Sequence, residues 1–179
     1  RRSKLRPLKL NAVVMRGVNE DEVVDLVEFA IEHDAQMRFI EHMPLDIGHT
    51  WDREEMVPRE EILAALGKRF RLEPLGGRGG APAEVFGIDG GPFTVGVIAS
   101  VSAPFCAACD RLRLTADGQL RNCLFAREEL DLKGALRSGA SDEGIRDILR
   151  AGVAAKRAGH GIDSPDFTQP DRGMNAIGG

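Results

Sequence analysis

The apolar and polar positions at the start of the chain follow two different periods. Residues alternate between apolar and polar over 8–15, and this period of two predicts a strand. Apolar residues then recur at helical spacing over 20–33, and a second strand is predicted over 37–43, where Pro44 ends it. Since a crossover helix joins parallel strands, this pattern predicts a βαβ unit in an α/β protein.

Three residues of these two strands are candidates for ligand contacts. Lys9 stands among apolar neighbours; such a lysine is ordinarily a surface residue, but in a barrel it would point into the lumen toward a phosphate. Alternation places Arg38 on the polar face of the second strand. Met43 lies at the carboxyl end of that strand, where ligands of parallel sheets gather, although a core methionine is the ordinary interpretation.

A β-hairpin is predicted over 110–124, around Ala116-Asp117-Gly118. A two-residue loop would place Cys123 opposite Leu112, whereas a three-residue loop with Gly118 in the left-handed region would place it opposite Arg111. We favour the second register because it separates polar from apolar side chains. Its polar face would hold Arg111, Arg113, Arg121 and Cys123. Its core face would hold Leu112, Leu114, Leu120 and Leu124.

The remainder of the chain predicts a helix from Pro58, a strand over 93–99 and a last helix capped by Ser141. Residues 156–179 are rich in Gly, Pro and Asp and have no periodicity, so we expect a flexible tail.

Composition narrows the class of protein. The chain has 179 residues, of which 42% are hydrophobic, so a folded core is expected. No apolar run approaches the roughly 20 residues of a membrane span, and no signal peptide is recognisable. The net charge of −4 disfavours nucleic acid as a partner, and an odd number of cysteines argues against a disulfide framework. We therefore expect a cytoplasmic protein without membrane or nucleic-acid partners.

The three cysteines of the chain are spaced as Cys106-x2-Cys109-x13-Cys123. Thiolates are soft ligands, and a Cys-x2-Cys turn directs two sulfurs at one ion. Three ligands are one short of the usual four, which leaves two alternatives for a bound metal, besides core cysteines that hold none. One is a structural zinc site closed by His49 or His160. The other is a 4Fe–4S cluster with one iron open to a substrate atom.

Two arginines follow Cys109 directly. Arg111 and Arg113 are two residues apart, so on a strand they would share a face. A solvated strand edge is the ordinary interpretation. The adjoining cysteines, together with the fork geometry of the guanidinium group, favour a polyphosphate held beside a metal centre.

These motifs resemble one enzyme family in sequence order. The strings LKLNAVVMRGVNEDE, RFIEHMP, FCAACDRLRLTADGQLRNCLF and the ending AIGG are similar to GTP 3′,8-cyclases, the radical S-adenosylmethionine (SAM) enzymes of molybdenum-cofactor biosynthesis. The resemblance implies the C-terminal part of a partial (β/α) TIM-type barrel, followed by an α+β domain that carries an iron–sulfur cluster. The implied division is 1–50 for the barrel part, 51–155 for the cluster and GTP-binding domain, and 156–179 for the tail.

The resemblance also implies roles for individual residues. The ligands of the C-terminal 4Fe–4S cluster would be Cys106, Cys109 and Cys123. Contacts to GTP would come from Lys9, Arg38, Arg111, Leu112 and Arg113. Met43 would lie beside SAM. The tail that enters the active site and activates the enzyme would end in Gly178 and Gly179.

One departure from the family is large, because the chain lacks the Cys-x3-Cys-x2-Cys motif that holds the SAM-cleaving cluster. The intact enzyme would use SAM and that second 4Fe–4S cluster to convert GTP to 3′,8-cyclo-7,8-dihydro-GTP. We expect this chain to be a substrate-binding fragment that is inactive alone, with the N-terminal half of the barrel as its partner, and to form a homodimer. Alternatives are a zinc-stabilised binding module and another radical SAM enzyme with an auxiliary cluster.

Overall fold

The computed structural model describes residues 6–177, which form two compact units. One unit runs to Met43 and resumes over Asp52–Phe105. The other comprises Pro44–Trp51 and the chain from Cys106 onward. No helix within 6–177 is both long enough and apolar enough to cross a membrane. The three-part division made from the sequence stays a prediction.

The first unit opens with the βαβ arrangement that the sequence predicts. Strand β1 spans Leu8–Val14, helix α1 spans Val23–Glu32 after a 3₁₀ turn at Glu20–Glu22, and strand β2 spans Ala35–Glu41. The two strands are parallel over their whole length. This outcome follows from the sequence because the helix is long enough to return the chain to the starting edge of β1.

Four further elements complete this unit. They are α2 (Arg59–Gly67), β3 (Leu72–Leu75), β4 (Glu84–Ile88) and β5 (Thr94–Ile98), with a 3₁₀ turn at Arg53–Glu55 before them. The sheet order is β1-β2-β5-β4-β3. Strand β5 is parallel to β2, whereas β4 and β3 are antiparallel to their neighbours. The described strands form an open, mixed sheet, so the TIM-type barrel remains a prediction.

One face of this sheet makes the core. Phe39 of β2 and Val97 of β5 are fully buried, and they belong to one apolar cluster with Val27 of α1 and with Ile62 and Leu66 of α2. Because side chains alternate along a strand, the opposite face carries the polar positions of β1, β2 and β5. Two candidate residues of this unit, Lys9 and Arg38, lie on that second face.

The second unit contains a small antiparallel sheet and two helices. Its strands, in sheet order, are β6 (Arg113–Leu114), β7 (Gln119–Arg121) and β8 (Leu130–Asp131). Helices α3 (Leu132–Arg137) and α4 (Asp142–Ala154) follow, and a 3₁₀ turn spans Met174–Ala176. The Ser141 hydroxyl accepts a hydrogen bond from the Gly144 N–H at 3.2 Å, which confirms the predicted cap.

The favoured hairpin register is confirmed. Arg113 lies opposite Arg121 and Leu114 lies opposite Leu120, so the same register carries Cys123 across from Arg111. Gly118 has φ +85° in a three-residue loop closed by the Thr115 N–H bond to the Gln119 carbonyl. The prediction succeeds because this loop needs a left-handed residue at its last position.

The predicted core face of the hairpin is wrong at Leu114. Leu120 is buried, but Leu114 is 59% exposed. The reason is that α4 packs against β7, where a Cβ on Gly152 would stand only 2.9 Å from Leu120 Cδ2. Strand β6 is an edge strand of this sheet, and its Leu114 side chain is left in solvent.

Candidate functional site

The cysteine residues belong to the second unit. Cys106 begins a 3₁₀ turn, Cys106–Ala108, and its carbonyl accepts the Cys109 N–H at 3.1 Å. This turn puts the first two cysteines at neighbouring positions. Cys123 follows the end of β7, and the hairpin returns it to the strand that begins after Cys109. All three side chains are half-buried.

Cys109 and Cys123 lie near enough to Cys106 to affect the pKa of its thiol. Burial raises the pKa of the Cys106 thiol, and thiolate charge on Cys123 and then on Cys109 raises that pKa further, while a backbone hydrogen bond from His160 lowers it. Repulsion of this kind is what a bound cation or iron–sulfur cluster relieves. Within the described part of the chain, no three His, Cys, Asp or Glu side chains are gathered as tightly as metal ligands. The donor set of three soft thiols nevertheless has the chemistry that an iron–sulfur cluster requires.

Arg111 and Arg113 lie in the same electrostatic neighbourhood. Burial lowers the pKa of the Arg113 guanidinium, and the positive charge of Arg111 lowers it further. Thiolate charge on Cys123 and Cys109 acts in the opposite direction. Two half-buried guanidinium groups that repel one another beside the cysteines have the chemistry to bind an anionic ligand.

Arg121 shares the face of Arg113, as the favoured register predicts, but it is not exposed there. Arg121 is only 2% exposed, and its guanidinium bonds to the Glu129 carboxylate and the Ala126 carbonyl, with a further bond to the Leu124 carbonyl at 3.3 Å. A buried guanidinium with a carboxylate partner holds the turn after β7 rather than a ligand. The Arg121 side chain points inward because it pairs with Glu129. No local sequence pattern predicts that Glu129 lies near β7.

The polar face of the first unit carries Lys9 and Arg38. Lys9 is exposed and lies opposite Gln36 in the parallel ladder. The Arg38 Nε donates to Gln36 Oε1 at 3.0 Å, and Gln36 Nε2 donates to Thr94 Oγ1 at 2.7 Å. A Cβ on Gly96 would meet Arg38 Cγ at 3.1 Å, so the arginine stem lies directly over a glycine of β5. Lys9 and Arg38 therefore share one face of the sheet, as alternation predicts.

Glu41 is a buried carboxylate that the sequence analysis missed. It is fully buried at the end of β2, where Oε1 accepts the Arg59 N–H at 2.8 Å. Oε2 accepts the Val101 and Ser102 N–H groups at 2.7 and 2.9 Å, and the Ser102 hydroxyl also donates to the carboxylate. This carboxylate fixes the carboxyl end of β2 just before Met43, which is half-buried. The proposed contact of Met43 with SAM stays a prediction.

Lys156 is a second residue that the sequence analysis missed. It follows the end of α4, and its ammonium group donates to the carbonyls of Arg111 and Asn122, each at 2.8 Å. The Cys109 sulfur lies 3.7 Å from Nζ. Lys156 lies in a stretch of sequence without periodicity, so no local pattern predicts these contacts.

The predicted activating glycines, Gly178 and Gly179, lie outside the described residues. The tail before them is anchored within its own unit. Arg172 makes a two-pronged hydrogen bond with the Asp117 carboxylate at 3.1 and 2.8 Å, and this contact lowers the pKa of Asp117. Ile177 is fully buried.

Comparisons with known proteins identify the family to which the chain is similar. Residues 35–162 match the family model described as Molybdenum Cofactor Synthesis C. The chain is 58% identical to a GTP 3′,8-cyclase of Streptomyces coelicolor over 181 aligned positions, which cover 100% of this chain and 53% of that relative. It is 52% identical to a GTP 3′,8-cyclase of Mycobacterium marinum, covering 100% of this chain and 51% of the relative. It is 53% identical to a GTP 3′,8-cyclase 2 of Mycobacterium bovis, covering 98% of this chain and 50% of the relative.

The chain spans about half the length of the curated relatives that it matches. The family match covers most of the chain and includes both the second strand and the cysteine hairpin. The resemblance drawn from the motifs is thereby confirmed. The chain belongs to the Molybdenum Cofactor Synthesis C family and corresponds to the C-terminal portion of GTP 3′,8-cyclases.

Proposed function

We propose that this chain is the substrate-binding part of a GTP 3′,8-cyclase. In this proposal Cys106, Cys109 and Cys123 hold a 4Fe–4S cluster, and GTP binds beside it. The intact enzyme would convert GTP to 3′,8-cyclo-7,8-dihydro-GTP with a radical derived from SAM. The chain alone has no further cysteines for the SAM-cleaving cluster, so its own share is to bind and orient the nucleotide.

The observation that carries the proposal is the charge arrangement of the cysteine hairpin. Its register brings Arg113 and Arg111 to the strand beside the thiols, and the pKa of Arg113 is lowered by burial and by Arg111. Guanidinium groups that are desolvated and repel one another gain most from a polyanion. When bound, the cluster would supply an iron position that is open to an atom of the guanine base. Leu112, between the two arginines, would contact the nucleotide as well.

The polar face of the first unit would supply further contacts. Lys9 is exposed and free to reach a phosphate, while Arg38 is already oriented by Gln36. We assign both to the triphosphate, and Met43 to SAM. The proposal also includes a barrel half contributed by the N-terminal part of the enzyme, the activating Gly178 and Gly179, and a homodimeric assembly.

Equilibrium binding of GTP to the anaerobically reconstituted chain tests this proposal. Arg111→Met and Arg113→Met should each weaken binding by about 10-fold to 100-fold, because a hydrogen bond to a charged group contributes about 1.5–3 kcal/mol. Arg127→Met is the matched control, since Arg127 is an exposed arginine of the same unit. Equal affinity for GTP in all three variants would refute the assignment.

A further inference from the structure

The ammonium group of Lys156 connects the two segments that carry the cysteines. It reaches the carbonyl of Arg111, two residues after Cys109, and the carbonyl of Asn122, the residue before Cys123. Both distances are 2.8 Å, and the Cys109 sulfur is 3.7 Å away. An ammonium group has three N–H donors, and these three acceptors account for all of them.

The position of this contact in the hairpin gives it a specific role. The paired residues of β6 and β7 end with Arg113 opposite Arg121. Beyond that pair the β6–β7 ladder ends, so strand pairing does not fix the separation of the segments that lead to Cys109 and Cys123. Lys156 bonds to both segments at this point, so it replaces the missing ladder bonds with charge-assisted ones.

The same short segment reaches another cysteine. A backbone hydrogen bond from His160 acts on Cys106, and the His160 ring packs on Phe125 with 4.9 Å between ring centroids. The segment 156–160 therefore brings N–H donors to two of the three sulfurs. Groups that hydrogen-bond to metal ligands orient those ligands and alter the properties of the bound metal.

We propose that Lys156 is a positioning residue for the cysteine site: its ammonium sets the separation of the Cys109 and Cys123 segments and donates to the Cys109 sulfur. The part of this inference that concerns the cluster rests on the proposed function. The part that concerns the two segments is a property of the chain without metal.

Three variants separate these parts. Lys156→Met removes the donors and the charge, Lys156→Arg retains the charge and several donors, and Arg157→Met removes an adjacent exposed charge. The first measurement is hydrogen exchange of the backbone amides between Cys109 and Cys123 in the metal-free chain. Lys156→Met should accelerate that exchange about tenfold or more, Lys156→Arg should restore much of the protection, and Arg157→Met should match the parent chain.

The second measurement is made on the chain after anaerobic reconstitution with iron and sulfide. Lys156→Met should release iron to a chelator about tenfold or more faster than the parent chain. Its cluster should also have a more negative reduction potential, because a positive donor near a sulfur favours the reduced state. Lys156→Arg should reverse both changes, and a purely structural lysine would not shift the potential.

The outcomes distinguish the inference from the proposed function. Unchanged hydrogen exchange in Lys156→Met would overturn the inference whatever the metal content. Faster exchange with unaltered iron release and potential would overturn its cluster part. A parent chain that takes up no iron, with exchange still accelerated in Lys156→Met, would remove the proposed function while supporting the connection between the two segments.

Discussion

The Glu41 carboxylate offers a sharp test of what holds the first unit together. This side chain is fully buried, and its two oxygens accept three backbone N–H groups and one hydroxyl. The Arg59 N–H is at the start of α2, where backbone donors have no partner within the helix. The Val101 and Ser102 groups belong to the segment after β5. One carboxylate thus joins the end of β2 to two other parts of the unit.

Replacing Glu41 by Gln retains the shape but changes one acceptor oxygen into a donor. The amide can keep the Val101 and Ser102 N–H bonds through its oxygen, and the Ser102 hydroxyl can turn to accept. The Arg59 N–H then faces an NH₂ group and loses its acceptor. A buried donor left without a partner costs about 1–3 kcal/mol, and the remaining bonds lose their charge assistance. We expect Glu41→Gln to lower the free energy of unfolding by about 2–4 kcal/mol.

Urea unfolding followed by circular dichroism measures this change, with Glu60→Gln as the control. Glu60 lies in the same region, but its side chain is 67% exposed and its ion pair with Arg59 is on the surface. Such pairs contribute about 0–1 kcal/mol, so the control should be close to the parent chain. A loss below about 0.5 kcal/mol in Glu41→Gln would refute the reasoning about the buried carboxylate.

Two further predictions concern the second unit. The Thr50 N–H and other donors lower the pKa of Asp46 from 3.8 to about 2, so its contribution to stability is present above pH 3.8 and is lost as the pH falls through about 2. Acid titration of Asp46→Asn should therefore show a smaller loss of stability between pH 3.8 and 2 than the parent chain, and identical curves would contradict this. Gly118→Ala should destabilise the hairpin by about 1–3 kcal/mol in urea unfolding, because φ is +85° and the new Cβ would stand 2.4 Å from Lys133 Cβ. An unchanged urea midpoint for Gly118→Ala would contradict this prediction, because it would mean that the turn relaxes to accept the new Cβ.

The elements that sequence predicted well are those with a strong local signal. The βαβ unit follows from periodicity, since strand and helix periods are distinct along the first part of the chain. The hairpin register follows from the loop, because a left-handed Gly118 selects the three-residue turn. The cysteine motif is specific enough that sequence alone identifies the family.

The residues that sequence failed to predict depend on contacts between distant positions. Leu114 alternates like a core residue, but it lies on an edge strand, β6, and is 59% exposed. Arg121 lies on the predicted face, but its burial in an ion pair with Glu129 was not predicted. Glu41 accepts a hydrogen bond from Val101, which lies 60 residues away in the sequence. Lys156 donates to the carbonyl of Arg111, which lies 45 residues away. No periodic pattern in the sequence indicates either contact. Such pairings become visible only when the chain is folded.

Metal analysis of the reconstituted chain tests the central claim most directly. The chain should be reconstituted without oxygen in the presence of iron, sulfide and zinc together, and then assayed for all three. The account predicts about four iron and four sulfide per chain, with the uptake abolished when Cys123 is replaced by Ser. Zinc without iron, or iron uptake that persists after Cys123→Ser, would contradict it.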